Sequence, residues 1–277
     1  MSEITKESTA RTVQLKGGEV AYQEAGEGHP LVFLHGSGPG ATGWSNFAPN
    51  IEPLSKKFRV LAVDMPGWGG SYPVKAEDRN HPAVAAEFLD ALGIDKAAFV
   101  GNSMGGATTI RFAVEYPDRI SHLITMGAGA GGARLFSAGD GPSEGLKILQ
   151  QGYRDPSPET MAQLVDIMTF DSGSNSEALA KQRSDNAKAS QQHLDNFLGG
   201  LKLPRVAPTD EQVAGITAPS LIVHGRDDRV VHYEHSLKLV SLIPDSRLVL
   251  FNRCGHWAQL EHAAEFNRLV EQFVESN

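Results

Sequence analysis

Cysteine is almost missing from this chain. Cys254 is the single one in 277 residues, which excludes an internal disulfide framework and suggests a reducing, cytoplasmic compartment. Long apolar runs are missing as well: no stretch of eighteen apolar residues occurs, so nothing reads as a membrane span. Met1 to Arg11 is polar and lacks the apolar centre of a signal peptide. Positive charge is in deficit, with 25 Lys and Arg against 33 Asp and Glu and a net charge of -8. That balance argues against nucleic acid or an anionic membrane as the main partner. No internal repeat, metal-ligand cluster or phosphate loop is found, and Gly36, Gly38 and Gly40 do not complete a G-x-G-x-x-G fingerprint. No metal and no cofactor are therefore implied.

What remains is an ordinary globular composition, 40% apolar and 21% charged, arranged as alternating strands and helices. Arg11 to Leu15 and Val20 to Glu24 read as a strand pair turning at Gly17-Gly18. Leu31 to Leu34, Val60 to Val63 and Ala97 to Val100 are short continuous apolar or small-residue runs, as strands buried on both faces should be. Ile120 to Thr125 adds another. Helices are expected over Trp44 to Leu54, over Pro82 to Leu92 with Gly93 as its stop, and from Ala107 to near Tyr116-Pro117. This alternation indicates a parallel sheet with helices on both faces.

Beyond Met126 the pattern changes. Gly127 to Gly145 is rich in glycine, alanine and serine, and Tyr153 to Leu201 is mostly helical, with breaks at Asp155 to Pro158 and Asp171 to Ser174. The next sheet-type run is Ser220 to His224. A structureless loop of that length is improbable in a compact domain, so residues 133–207 read as a helical lid inserted into a core made of 1–132 and 208–277. The core then resumes with a helix from Tyr233 to Leu242, a strand from Arg247 to Phe251 and a helix from Ala258 to Val274.

Candidate chemistry sits where these strands end. Gly101-Asn102-Ser103-Met104-Gly105 lies between a strand and a helix, the context that a G-x-S-x-G nucleophile elbow requires. A side chain at Gly101 or Gly105 would collide with the neighbouring strand or helix. His35 to Gly40, following Leu34, is a glycine-rich loop whose backbone N–H groups can approach a ligand closely; it stands where an α/β-hydrolase supplies its second oxyanion donor. A nucleophilic serine needs a base, and the base an orienting carboxylate, in the chain order serine, acid, histidine. Asp227 and Asp228 compete for the acid after Gly225-Arg226, and Asp228, directly before Arg229-Val230-Val231, is preferred. His256, in Cys254-Gly255-His256-Trp257 after the last strand, is the base. Among the other histidines, His224 lies inside a strand, and His122, His193, His232, His235 and His262 fall on or beside helical stretches. His35 is expected to make a structural hydrogen bond.

Leu34 to Ala41, Trp44-Ser45-Asn46, Gly101 to Gly106, Gly225 to Arg229 and Cys254 to Gln259, continued in Glu261-His262 and Phe266 to Val270, resemble the meta-cleavage product hydrolases. The resemblance spans nearly the whole chain outside the insertion and implies the α/β-hydrolase fold. It also implies hydrolysis of the carbon–carbon bond of 2-hydroxy-6-oxohexa-2,4-dienoates, ring-fission products of aromatic degradation, to 2-hydroxypenta-2,4-dienoate and a carboxylic acid. Carried onto this chain, it makes Ser103 the nucleophile, His256 the general base and acid, and Asp228 the orienting carboxylate. The N–H of Met104, with that of Ser37 or Gly38, forms the oxyanion hole, and Asn46, Asn102 and Trp257 line the polar part of the pocket. Arg183, in the insertion, matches the arginine that grips the dienoate carboxylate. Ser37 stands where such loops often carry glycine. The resemblance further implies a homodimer or higher homo-oligomer, with a small anionic dienoate as the only other partner. Cys254 is expected to line the pocket wall without chemical duty, and Leu135, Phe136, Ile148, Met168 and Phe170 to face the substituent at C6. A carboxylesterase using the same three residues is the competing function, and a ligand-sensing relative without activity is a third.

Overall fold

The computed structural model describes residues 3–129, 131, 135–136, 141–173, 176–204 and 206–276. Among them eight strands form one sheet: β1 Ala10–Leu15, β2 Gly18–Ala25, β3 His29–Leu34, β4 Phe58–Val63, β5 Ala97–Asn102, β6 Ile120–Met126, β7 Ser220–Gly225 and β8 Ser246–Phe251. Their spatial order is β1-β2-β4-β3-β5-β6-β7-β8. β2 runs antiparallel to both β1 and β4, and every pair from β4 to β8 is parallel. The apolar runs behave as doubly covered strands must: β5 and β7 are buried at every position.

Two apolar layers account for that burial. On one face, Phe88 and Leu89 of the helix His81–Ala91, Ile110 and Phe112 of Met104–Glu115 and Leu239 of Glu234–Leu242 pack on the sheet. On the other, Phe47, Ile51 and Leu54 of Gly43–Ser55 meet Phe266, Val270 and Phe273 of Ala263–Glu275. β3 lies between β4 and β5, so the winding of the sheet reverses there. The crevice beyond the strand ends at such a reversal is where open α/β sheets bind ligands.

Between β6 and β7 come helices Glu144–Arg154, Pro158–Met168, Ser176–Lys188 and Gln191–Gly199, then the short Asp210–Ala214. The first four share a core of their own, with Leu149, Tyr153, Met161, Leu164, Val165 and Leu194 packed together and joined by Val230 and Trp257 from the sheet side. The breaks expected near Pro156 and Asp171 are present; the break at Ala189-Ser190 was not expected. The boundary expected at 132/133 lies outside the described residues.

Three local expectations need correction. The elbow helix starts at Met104, not at Ala107, because the glycines tolerated there also permit helix. His122 sits in β6, inside the strand expected over Ile120 to Thr125 and not beside a helix. The last helix is two helices, Ala258–Glu261 and Ala263–Glu275, parted at His262. There the His262 ring stacks on Phe251 at 5.0 Å and Nε2 approaches the Arg253 carbonyl, while the Glu261 carboxylate is drawn towards backbone N–H groups outside its helix.

Candidate active site

Ser103 occupies the turn from β5 into the helix Met104–Glu115 with φ 55° and ψ -111°. That left-handed conformation is costly for a residue with a side chain, and it is held because the surroundings leave no alternative. The Ser103 N–H donates to the Met126 carbonyl at 2.8 Å, and the Ser103 carbonyl accepts from Ala107. A Cβ at Gly101 would lie 2.3 Å from the Gly105 oxygen, and one at Gly105 would lie 2.0 Å from the Leu34 oxygen. Strand, helix and glycine loop therefore close on one another only with glycine on both sides of the serine. Met104 opens the helix, where first-turn N–H groups have no intrahelical acceptor.

His256 and Asp228 arrive from the loops after β8 and β7. His256 Nδ1 lies 2.6 Å from Asp228 Oδ2, and both side chains are buried. Asp228 Oδ1 accepts from the N–H groups of Val230 at 2.7 Å and Val231 at 2.9 Å. Burial alone would raise the Asp228 carboxyl. The charge of His256 and hydrogen bonds from His224 and His256 outweigh it and hold the group well below the usual carboxylate range. Asp227 is half-buried and turns instead towards the Cys254 N–H at 3.4 Å. The backbone N–H of His256 donates to the Met168 carbonyl at 2.7 Å, so the imidazole is fixed from the insertion as well as from the sheet.

A pocket of about 220 Å³ joins these groups to the insertion. It is lined by Gly36, Ser37, Gly38, Asn46, Asn102, Ser103, Leu149, Met168, Arg183, His256 and Trp257. Arg183 descends from the helix Ser176–Lys188 and is only 1% exposed. Its guanidinium lies 4.4 Å over the Trp257 ring, donates at 3.4 Å to the Pro39 carbonyl and to Asn46 Oδ1, and leaves Nε without a partner. Burial lowers it to about 10, so it remains a cation at neutral pH. Asn46 spends its Nδ2 on the Thr42 carbonyl and Ser45. Asn102 Nδ2 donates to the carbonyls of Met126 and His256, bracing the elbow, and its buried Oδ1 is unpartnered.

The glycine loop is held from both sides. His35 is buried and forced neutral, its value lowered to about 3 by desolvation. Its Nδ1 meets the Gly36 carbonyl at 2.8 Å, and its Nε2 accepts from the Met65 N–H at 2.9 Å, the structural bond expected of it. Tyr153 of the insertion donates to the Ser37 carbonyl at 2.7 Å while accepting from Trp68 Nε1 at 2.7 Å. Neither Tyr153 nor Trp68 carried a sequence signal, because each joins the site only through the fold.

Other expectations change. Cys254 packs among Phe251, Phe266 and Val270 in the core rather than on the pocket wall, because the strand end turns its side chain under the sheet. Met168 lines the pocket, but beside it stands Leu149 and not Ile148, one position away on the same helix. Leu135, Phe136 and Phe170 are 80%, 68% and 42% exposed. Among the described residues no group of three or more His, Cys, Asp and Glu could hold a metal ion, and no helix is long and apolar enough to cross a membrane. A second pocket of about 310 Å³, between the sheet and His81–Ala91, is lined by apolar side chains and His81 and holds no nucleophile.

Residues 29–263 match the family described as the alpha/beta hydrolase fold. The chain is 42% identical to the 2-hydroxy-6-oxononadienedioate/2-hydroxy-6-oxononatrienedioate hydrolase of Cupriavidus pinatubonensis, over 98% of this chain and 97% of that protein. It is also 42% identical to the 2-hydroxy-6-oxo-6-phenylhexa-2,4-dienoate hydrolase of Burkholderia cepacia, over 99% of each. Among solved structures, the meta-cleavage product hydrolase of Pseudomonas fluorescens IP01, complexed with acetates, superposes with a TM-score of 0.86 at 33% identity, over 98% of this chain and 100% of that one. A serine elbow, a buried histidine–aspartate pair and likeness along the whole chain lead to one assignment: the chain belongs to the alpha/beta hydrolase fold family and, within it, to the meta-cleavage product hydrolases.

Proposed function

We propose that this protein hydrolyses the carbon–carbon bond of a 2-hydroxy-6-oxohexa-2,4-dienoate, releasing 2-hydroxypenta-2,4-dienoate and a carboxylic acid. The observation that carries the substrate reading is Arg183. A guanidinium that is fully buried and bonded only to neutral acceptors is costly, and this one faces the pocket that holds Ser103. A planar carboxylate entering there would pair with it bidentately. A simple ester has no group that needs such a cation.

In this reading the insertion is a lid over the core, and the polar residues around Arg183 anchor the dienoate end. Carbon–carbon cleavage needs an electron sink, so the first step moves the 2-hydroxyl proton to C5 and leaves a ketone at C2. Ser103 Oγ then gives its proton to His256 and attacks C6, or water activated by His256 adds there directly. The N–H groups of Met104 and of Ser37 or Gly38 receive the negative charge on the C6 oxygen, each such donor being worth about 3 kcal/mol. Collapse breaks the C5–C6 bond, the electron pair runs to the C2 oxygen, and water releases the acid from the serine where an acyl group has formed. The protein acts in the cytoplasm as a homo-oligomer, without a cofactor.

Parallel kinetics on a yellow ring-fission dienoate and on a p-nitrophenyl ester test this. The unsubstituted protein prefers the dienoate. Arg183→Gln lowers kcat/KM for the dienoate by about 100-fold, within the range for truncating one half of a buried charge pair, and leaves the ester rate almost unchanged. Preference for the ester, or equal losses on both substrates, overturns the reading in favour of a carboxylesterase.

A further inference from the structure

Behind the Asp228–His256 pair lies a second histidine. His224, at the end of β7, is wholly buried. Its Nε2 lies 3.1 Å from Asp228 Oδ2, the oxygen that His256 also uses, and 2.8 Å from the Val231 carbonyl. Its Nδ1 lies 2.6 Å from the hydroxyl of Ser236, a buried residue of the helix Glu234–Leu242. Two acceptors at Nε2 require the proton there, so Nδ1 is left to accept from the Ser236 hydroxyl. The tautomer is set by the fold.

We propose that His224, oriented by Ser236, is a positioning residue that holds Asp228 Oδ2 in line with His256; the inference rests on the catalytic roles proposed above for Ser103, Asp228 and His256. With His224 in place the carboxylate has four donors, the N–H groups of Val230 and Val231 on Oδ1 and the two imidazoles on Oδ2. Four donors match the four acceptor sites of a carboxylate. The group can neither rotate nor let Oδ2 leave the imidazole. Sharing Oδ2 with His224 also divides its charge, so the His256 Nδ1–H bond is weaker than it would be to a carboxylate with no other donor on that oxygen. Without the Nε2 donor, Oδ2 is anchored by His256 alone, and the ring that must face Ser103 is free to follow the carboxylate.

Asparagine and glutamine separate the two ends of the histidine. Asparagine reaches only as far as Nδ1, whereas glutamine places an amide N–H near the position of Nε2. The readouts are the rate at which a fluorophosphonate labels Ser103, scaled to folded protein, and the downfield proton resonance of the His256 Nδ1–H. Neither depends on a dienoate substrate. His224→Asn slows labelling by about tenfold, a small ring displacement being enough for that, and moves the resonance; His224→Gln restores both most of the way. Should neither variant fold, Ser236→Ala keeps the Nε2 donor but loosens the ring, and it too moves the resonance. Labelling and resonance unchanged in His224→Asn, Gln no better than Asn, or a Ser236→Ala resonance that stays in place overturns the role of His224. If the unsubstituted protein is not labelled, or Ser103→Ala is labelled equally, the underlying catalytic assignment fails instead.

Discussion

The pocket has two walls built on opposite rules. The wall made by the strand ends is largely saturated, the Asn102 Oδ1 apart: Asp228 has four donors, the Ser103 backbone is bonded on both sides, and His35 is tied at both nitrogens. The wall made by the insertion is left wanting, since Arg183 is buried with weak neutral partners and an unbonded Nε. Groups that move protons gain from a fixed geometry that needs no reorganisation as charge develops. A group that recognises an anion gains from having no competing anion before the ligand arrives. In the proposed reading the contrast divides labour, with the sheet side arranged for reaction and the helical side for selection.

The deepest cut through that division is Ser103→Ala. Loss of a triad nucleophile typically costs on the order of 10⁴-fold or more in kcat, and here cleavage of the dienoate should fall by that much while binding, followed by the absorbance of the bound dienoate, persists through Arg183. Near-normal turnover would exclude Ser103 as the nucleophile and leave the sheet wall to act through water activated by His256.

A smaller effect is expected at the join between them. Glu261 accepts from the Gly255 N–H at 2.7 Å with one oxygen and from the Phe170 N–H at 2.7 Å with the other. It thereby ties the loop that carries His256 to the end of the helix Pro158–Met168. Burial raises its carboxyl, while the Gly255, Phe170 and Asp171 N–H bonds oppose that. Glu261→Gln leaves one of those N–H groups facing an amide NH2, a loss of about 1–3 kcal/mol for an unmet buried donor. If the join transmits the position of Met168 to His256, kcat falls by about tenfold and KM rises with it. A lower melting temperature with unaltered kcat and KM would show that the walls are independent.

The same division explains what could be read from the chain. The sheet side was legible because its constraints leave local marks: Gly101 is forced by the Gly105 carbonyl within the turn, Gly105 by the Leu34 carbonyl of the neighbouring strand end, and the buried strands announce themselves as apolar runs. Arg183 was legible only through resemblance, since nothing in Leu179 to Ser184 distinguishes an inward arginine from a solvated one. Leu149 was missed by one position because the helix Glu144–Arg154 meets the core on a face fixed by Tyr153 and Ser37, far apart in sequence. His224 was passed over as a strand residue. Every position of β7 is buried, so nothing marks it out, and its partners Ser236, Val231 and Asp228 come together only in the fold. Cys254 errs the other way: two residues from His256 in sequence, it packs into the core layer of Phe251, Phe266 and Val270 and not into the pocket.

The last expected effect concerns stability against pH, and its most strongly shifted groups stand on the sheet side. Desolvation lowers His35 to about 3 and His81 to about 4, so both are neutral in the folded protein at any pH above 5. In the unfolded chain each takes a proton below about 6.5. Their contribution is therefore complete above that pH and is lost as pH falls, because the unfolded state binds more protons. Asp64 acts in the opposite sense: burial raises it to about 6, against 3.8 for the free group, so the folded state takes its proton first as pH falls. Between pH 6 and 4 His35 and His81 favour unfolding while Asp64 opposes it, which for these three groups is a net of about one proton or about 1.4 kcal/mol per pH unit; His29 and His193, also lowered by burial, act with the histidines, and Glu261, raised by burial, acts with the aspartate. The melting temperature should fall steadily across that interval. His81→Gln keeps a donor for the Pro66 carbonyl, which His81 Nε2 meets at 3.1 Å, and removes one of these protons, so its melting temperature should fall less steeply over the same range. An unaltered slope in that variant would place the acid sensitivity elsewhere, on the helical wall or its join, and would break the equation of saturation with stability on the sheet side.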